Sequence, residues 1–399
     1  MRKFSTAVLF FLILLTLVIG CSKKEAAVPL ESGKPDLSAH TTPDGKTFIT
    51  VALGDDPGTL DPALFGAIFG IDAVAPMVRE SLYERDGKLI PQIAKSYTVE
   101  PDNLTYHVEI YDYVYDTAGN HLTADDVVFC FNRAKENGFN STSFYDSITK
   151  DSDYAVTIKL NLATVGIFDQ VAQVQALYTR KAFEDAGGEF GTKPVFTGPY
   201  KVTEWISGTS LKLEKNENYW QKPELRNIYA PQNVDIINFV IIREAAQLAI
   251  ALETGVVDMV YNLSPLEAKR FEEGGSSAKG FKVWTFTNRE TQFMYLNDGK
   301  GSLFNNDMDL RKAVMYGVDI QNMIDGVLDG LGVASKTFGN SMIIDYQQAW
   351  DTENYFDYNL AYARECLARS KYNGQTVRIM VSGNELHGSL ALVLQGFLE

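Results

Sequence analysis

Alternating apolar and polar residues set the first elements. In LTYHVEI, residues 104–110, Leu104, Tyr106, Val108 and Ile110 share one face with polar residues between them, the pattern of a half-buried strand. YAVTIKLNL alternates in the same way through Val156, Ile158, Leu160 and Leu162. TFITVAL at 47–53, SLKLEKN, VDIINFVII and TVRIMVS predict further strands, the first followed by turn chemistry at Pro57-Gly58 and Asp61-Pro62. Helical spacing takes over elsewhere. Thr123 followed by Asp126, just ahead of Val127, Val128 and Phe129, is a capping-box start, and it predicts a helix over 124–137 that Gly138 ends. Other helices are predicted through Met77, Val78, Leu82 and Tyr83, from 243 to a stop at Gly255, over 309–328, and over 358–372 with Gly374 as cap. Strands and helices mix without strict alternation, an α/β pattern with several lobes.

The two ends follow another logic. Arg2 and Lys3 precede a nearly unbroken apolar run from Ala7 to Ile19, too short to span a membrane comfortably, and the run stops at Gly20-Cys21. Val18-Ile19-Gly20-Cys21 resembles a bacterial lipobox. Residues 1–20 are therefore expected to be a lipoprotein signal peptide, with Cys21 the lipid attachment point and 21–46, rich in Ser, Lys, Pro and Gly, a flexible tether. At the other end, ELHGSLALVLQGFLE predicts a helix that reaches residue 399 without stop signals, with a glutamate at the negative end of its dipole. The expectation there is an interrupted sequence.

Composition narrows the class. Residues 47–399 suffice for two or three domains. The net charge is −15, and −17 once Arg2 and Lys3 are lost, which argues against nucleic-acid partners. With Cys21 assigned to lipid, Cys130 and Cys366 sit in apolar helical patterns and read as buried free thiols rather than a disulfide.

A search for reactive constellations finds little. The four histidines, His40, His107, His121 and His387, have no partner at zinc-site spacing, so no metal or cofactor is expected. There is no G-x-S-x-G elbow and no phosphate loop. Asp125 and Asp126 are adjacent, point apart on a helix, and read as helix-start charges rather than a catalytic pair. No catalytic residue is assigned and an enzyme is not expected. Aromatic residues are plentiful instead, with 20 Tyr, 23 Phe and 4 Trp, so an aromatic-walled small-ligand cleft is the chemistry to look for. Candidate wall residues are Phe65 and Phe69 on a loop-like, Gly-rich segment, Tyr261 and Asn262 after a strand end, and Phe293 with Tyr295 in TQFMYLND. Core packing is the competing reading for each.

The order of segments carries a resemblance. GTLDPALF, VRESLYERDGKLIPQIAKSYTVEPDNLTYHVEI, AGNHLTADDVVFCFNRA, FTGPYKVTEWISGTSLKLEKNENYW, ALETGVVDMV and NNDMDLRKAVMYGVDIQNMIDGVLDG are similar, in order, to blocks of the family 5 extracellular solute-binding proteins, the peptide and oligopeptide receptors of ABC importers. The similarity runs over 48–399. Where the family usually has Leu-Arg or Leu-Lys after the alternating strand, this chain has Ile110-Tyr111. The family's amine-recognising acidic residue matches no position here.

The resemblance implies an α/β, bilobal periplasmic-binding-protein-like fold of class II, or cluster C, type with an extra domain and without its C-terminal segments. It divides the chain into lobe I (47–75 plus 195–270), an inserted extra domain (76–194) and an incomplete lobe II (271–399). Leu60-Asp61-Pro62, Pro91, Ala94, Asp126-Val127 and Gly198-Pro199-Tyr200 become scaffold positions. The implied function is capture of extracytoplasmic peptides by a lipid-anchored monomer that delivers them to ABC permease subunits in the membrane, and missing final strands would make the chain aggregation-prone. Within the class, an oligosaccharide or nickel chelate is the alternative ligand. From other classes, a surface lipoprotein hydrolase, a structural surface lipoprotein and a non-functional receptor compete.

Overall fold

The computed structural model describes residues 40–399 apart from 65–67, 87, 227–230, 279, 286–290, 336, 338, 340–345, 354–355 and 382–384. Strands β1 (His40–Thr41) and β2 (Thr47–Leu53) come first, then helix α1 (Ile68–Val78) and the hairpin β3 (Tyr83–Asp86) and β4 (Lys88–Pro91). Next are β5 (Ala94–Val99), β6 (Thr105–Ile110), α2 (Ala124–Glu136), β7 (Tyr145–Ser152), β8 (Ala155–Leu160), α3 (Ile167–Val174) and α4 (Arg180–Asp185). β9 (Tyr200–Ile206), β10 (Ser210–Lys215), β11 (Ile236–Ile241), α5 (Ala245–Glu253), β12 (Met259–Val260) and α6 (Pro265–Ala268) follow. The remaining helices are α7 (Met308–Gly317), α8 (Ile320–Leu328), α9 (Leu360–Arg369) and α10 (Glu385–Leu398).

Two sheets organise these elements. The larger has the order β1-β2-β11-β10-β9, with β12 also on β2. β2 runs parallel to β11 and β12 while the other pairs are antiparallel. The near-continuous apolar runs of β2 and β11 suit this position, since strands in a parallel pair are covered on both faces. The smaller sheet is antiparallel, in the order β5-β6-β8-β7. α2 lies on it through Val127, Cys130, Phe131 and Ala134, the i, i+3, i+4, i+7 stripe of an amphipathic helix. One hydrophobic core runs through both sheets, from Val51, Ile237 and Phe239 to Phe131, Val108 and Ile158.

Local expectations hold where the partner is close in sequence. Val156, Ile158 and Leu160 are buried on β8, and Thr123 N donates to Asp126 Oδ2 at 2.8 Å ahead of α2, which Gly138 follows at φ 70°. Gly255, at φ 71°, follows α5, and Cys130 and Cys366 are buried and unbridged.

Several expectations need correction. Leu82 and Tyr83 are not helical, because the backbone beyond Val78 is spent on tertiary partners: Leu177 N donates to Glu80 O at 2.8 Å, and Ser81 N to Gln92 Oε1 at 2.9 Å. Phe69 lies in α1 rather than on a loop. Leu162 falls past the end of β8 and is exposed. The predicted 309–328 helix is two helices, because Asp319 accepts from Asn322 N at 3.1 Å and starts a new one. Gly374 does not cap α9, which ends at Arg369. TVRIMVS belongs to no strand over its described residues, 376–381. Cys21, the signal segment and Phe65 lie outside the described residues.

Candidate functional site

Three strands end together at one edge of the larger sheet. Ile241 of β11 is opposite Leu53 of β2, and Val260 of β12 is opposite Ala52, so the carboxyl ends of these parallel strands are neighbours. In open α/β sheets, ligands bind in the crevice outside such ends, where helix starts and loops converge.

The chain leaving β2 turns at once. Asp56, nearly buried, accepts from Gly58 N at 2.7 Å and from Gly208 N in the β9–β10 turn, which pins this loop to the far strands. Arg243, just past β11, lies 3.7 Å from Asp55. After β12, Tyr261 N donates to Ala52 O at 3.0 Å and the side chain packs half-buried against the core. Asn262 follows at φ 60°, the left-handed region that Asn tolerates better than most residues because its short amide can bond locally.

Tyr261 and Asn262 therefore stand at the carboxyl edge, and Phe69 is on the helix that the loop after β2 enters. Phe293 and Tyr295 belong to a different segment, 291–298, where their rings lie 6.0 Å apart and Tyr295 is 78% exposed. His387 Nε2 and Gln292 Oε1, 2.8 Å apart, tie that segment to α10. The described candidates thus fall on three segments rather than in one cluster.

Sequence reasoning also missed features. A cavity of 570 Å³ is lined by Phe271, Phe281 and Val283 with Glu272, Glu273 and Lys282 at its polar side. The Phe271 and Phe281 rings meet edge to face at 5.0 Å. No spacing in the sequence marks it. Between α1 and β3, Glu80 is buried with Tyr219 and Trp220 donating to its carboxylate. Burial pushes its pKa up to about 7, against the pull of those donors and of the neighbouring Thr197 hydroxyl. Asp61 accepts from both terminal guanidinium nitrogens of Arg133 at 2.6 Å each, and that guanidinium lies over the Phe183 ring. Gly198 N donates to Val78 O at 3.0 Å, and a Cβ at Gly198 would sit 2.4 Å from that carbonyl. Among the described residues, no group of three or more His, Cys, Asp or Glu could hold a metal ion, and no helix is long and apolar enough to cross a membrane.

Comparison with known proteins fits this architecture. A family model described as bacterial extracellular solute-binding proteins, family 5 middle, matches residues 88–399. The oligopeptide-binding protein AppA of Bacillus subtilis (strain 168) is 24% identical over 396 residues, covering 93% of this chain and 67% of its own length. The glutathione-binding protein GsiB of Shigella flexneri serotype 5b is 25% identical over 363 residues, covering 87% and 66%. The chain thus spans about two thirds of the length of these relatives. The solved structure of AppA from Bacillus subtilis with a nonapeptide matches with a TM-score of 0.69 at 22% identity, over 88% of this chain and 72% of that one. NikA from Brucella suis in complex with Fe(III)-EDTA matches with the same TM-score, identity and coverage. The fold is theirs, mixed α/β, and the chain belongs to the bacterial extracellular solute-binding proteins of family 5.

Proposed function

We propose that this chain is the solute-capturing component of an ABC importer and that its ligands are extracytoplasmic peptides. The observation that carries the reading is the family match over residues 88–399. The names of the AppA and GsiB relatives, an oligopeptide binder and a glutathione binder, favour peptides within it. Phe65, Phe69, Tyr261, Asn262, Phe293 and Tyr295, on separate segments, are the proposed ligand contacts, with Tyr261 and Asn262 at the carboxyl edge of the larger sheet. Main-chain hydrogen bonds would hold a peptide of varied sequence while aromatic walls fill its side-chain spaces. The chain breaks no bond. It closes on its ligand because the ligand binds the closed form better, and the permease reads that form.

The domain division is part of the same proposal. Strands of the larger sheet come from 40–53 and 200–260, and those of the smaller from 94–160. Taking 47–75 plus 195–270 as lobe I, 76–194 as an insertion and 271–399 as lobe II keeps the smaller sheet within the insertion and the larger within lobe I except for β1, whose His40 and Thr41 pair with β2 from inside the 21–46 stretch expected as a tether. Thermal shift and calorimetry of the full chain against peptides, oligosaccharides and nickel chelates test the ligand class. A peptide should raise the melting temperature, and Tyr261→Ala should weaken its binding about tenfold, the loss of about 1.4 kcal/mol. A shift given only by a sugar or a chelate would replace the peptide assignment.

The anchor is a separate reading. Lipid on Cys21 would hold a monomer at the membrane surface and raise its encounter rate with the permease. In cells, the wild-type chain should partition into the detergent phase and Cys21→Ser into the aqueous phase. Equal partitioning of the two would remove the anchor from the proposal.

A further inference from the structure

Glu80 sits between α1 and β3 and is 4% exposed. Its main chain pairs with Leu177 beyond α3, and Gly198 ahead of β9 bonds Val78 two residues before it. The side chain reaches the exit of β10. Tyr219 donates its hydroxyl to Glu80 Oε1 at 2.5 Å, and the Trp220 indole N–H donates to Oε2 at 2.7 Å. Neither donor is charged.

The ionisable groups around Glu80 are engaged elsewhere. Arg226 lies over the Tyr219 ring at 5.1 Å and its Nε donates to Gln221 O at 3.1 Å. Lys222 lies 4.4 Å above the Tyr113 ring, and Tyr111 and Tyr113 pack against Trp220. Arg79 feels the opposite charge of Asp72 on α1. The Tyr200 hydroxyl of β9 donates to Val234 O at 2.8 Å, and the Tyr178 hydroxyl beyond α3 accepts from Arg133 at 2.9 Å. Tyr83 on β3 is buried with its hydroxyl unpartnered.

A buried carboxyl without a cation favours the neutral form, and burial raises the Glu80 pKa to about 7 from an ordinary 4.5. A neutral carboxyl must place its own proton on an acceptor. The buried Thr197 hydroxyl beside Glu80 and the Tyr219 oxygen are both candidate acceptors, and with the shorter Tyr219 contact taking the proton, Tyr219 then needs an acceptor for its own. Gln221 Oε1 is 3.2 Å from that hydroxyl, and Gln221 is buried. The hydrogen bonds close in both protonation states.

We propose that Glu80, Tyr219 and Gln221 form a proton-operated switch where the exit of α1 meets the segment after β10. With the carboxylate, the Tyr219 hydroxyl donates to Glu80. When Glu80 takes a proton from water, its new O–H donates to Tyr219, and Tyr219 turns to donate to Gln221. Trp220 donates to Oε2 in both states. Because the folded chain holds this proton more tightly than the unfolded one, the switch adds stability in acid and loses it as pH rises through about 7. An extracytoplasmic chain would thereby sense the pH of its surroundings.

Infrared difference spectra of the full chain, titrated from about pH 5 to about pH 9, test the switch. The wild type should gain a protonated-carboxyl carbonyl band on the acid side with a midpoint near 7, and Glu80→Gln should lack it. The band persisting in Glu80→Gln, or a midpoint near 4.5, would overturn the assignment. Gln221→Met keeps both donors to the carboxylate but removes the acceptor that the acid form needs. Its midpoint should fall by roughly one pH unit, the size of one hydrogen bond. A midpoint unchanged in Gln221→Met would leave Glu80 a buried acid without a switch and sink the three-residue assignment.

Discussion

Asp61 and Arg133 show how a single pair can fix a loop. Arg133 reaches from α2 across 72 positions and grips both oxygens of Asp61 at 2.6 Å, while also donating to the Tyr178 hydroxyl at 2.9 Å. The side chains are only 13% and 5% exposed, so removing one partner strands the other. Arg133→Ala should cost about 3 kcal/mol in urea unfolding, since a buried charge loses its counter-charge. The double change Asp61→Asn with Arg133→Met should recover much of that loss because no bare charge remains. A cost within about 0.5 kcal/mol for Arg133→Ala would mean that water already screens the pair. The same contrast sets what was legible at this scale. Asp126 is legible in the sequence because the backbone N–H it caps is three residues away. Glu80 was invisible because its partners lie 139 and 140 positions on, and no local pattern separates VRES from any other polar turn.

At the scale of elements, period-2 alternation located β6 and β8, because one face of each strand is buried and the sequence must repeat that fact. Alternation alone does not supply a neighbour, and TVRIMVS has the composition of a strand without a ladder partner among the described residues. The break between α7 and α8 was missed for a different reason. Apolar spacing continues through Val318, and only the Asp319 side chain, bonded to Asn322 N, marks the restart. The candidate site was half legible. Tyr261 and Asn262 could be placed after a strand, but that β12 lies parallel beside β2 is a long-range pairing, Met259 with Val51, that periodicity cannot carry. The Gly198-Pro199-Tyr200 turn is scaffold on physical grounds, because the β9 entry presses against the α1 exit too closely for a side chain at Gly198.

For the whole chain, the distribution of burial predicts a gradient of stability. The core that includes Val51, Val108, Ile158 and Phe239 is continuous through both sheets, so neither sheet can open without exposing apolar surface of the other. β2 and β11 are paired on both sides, as are β6 and β8. Residues 376–381 differ: Val377, Ile379 and Val381 are exposed and Met380 is 96% exposed, outside any assigned strand. Native-state hydrogen exchange should therefore give β2, β6, β8 and β11 one shared, slow rate set by global unfolding, and 376–381 rates near those of an open chain. Separate slow rates for the two sheets would mean that the core is divided, and the lobe-and-insertion reading would gain independent folding units. Protection of 376–381 equal to that of β11 would mean that its apolar side chains are covered in solution. The comparison is decided within one experiment, because both segments report from the same molecule under the same conditions.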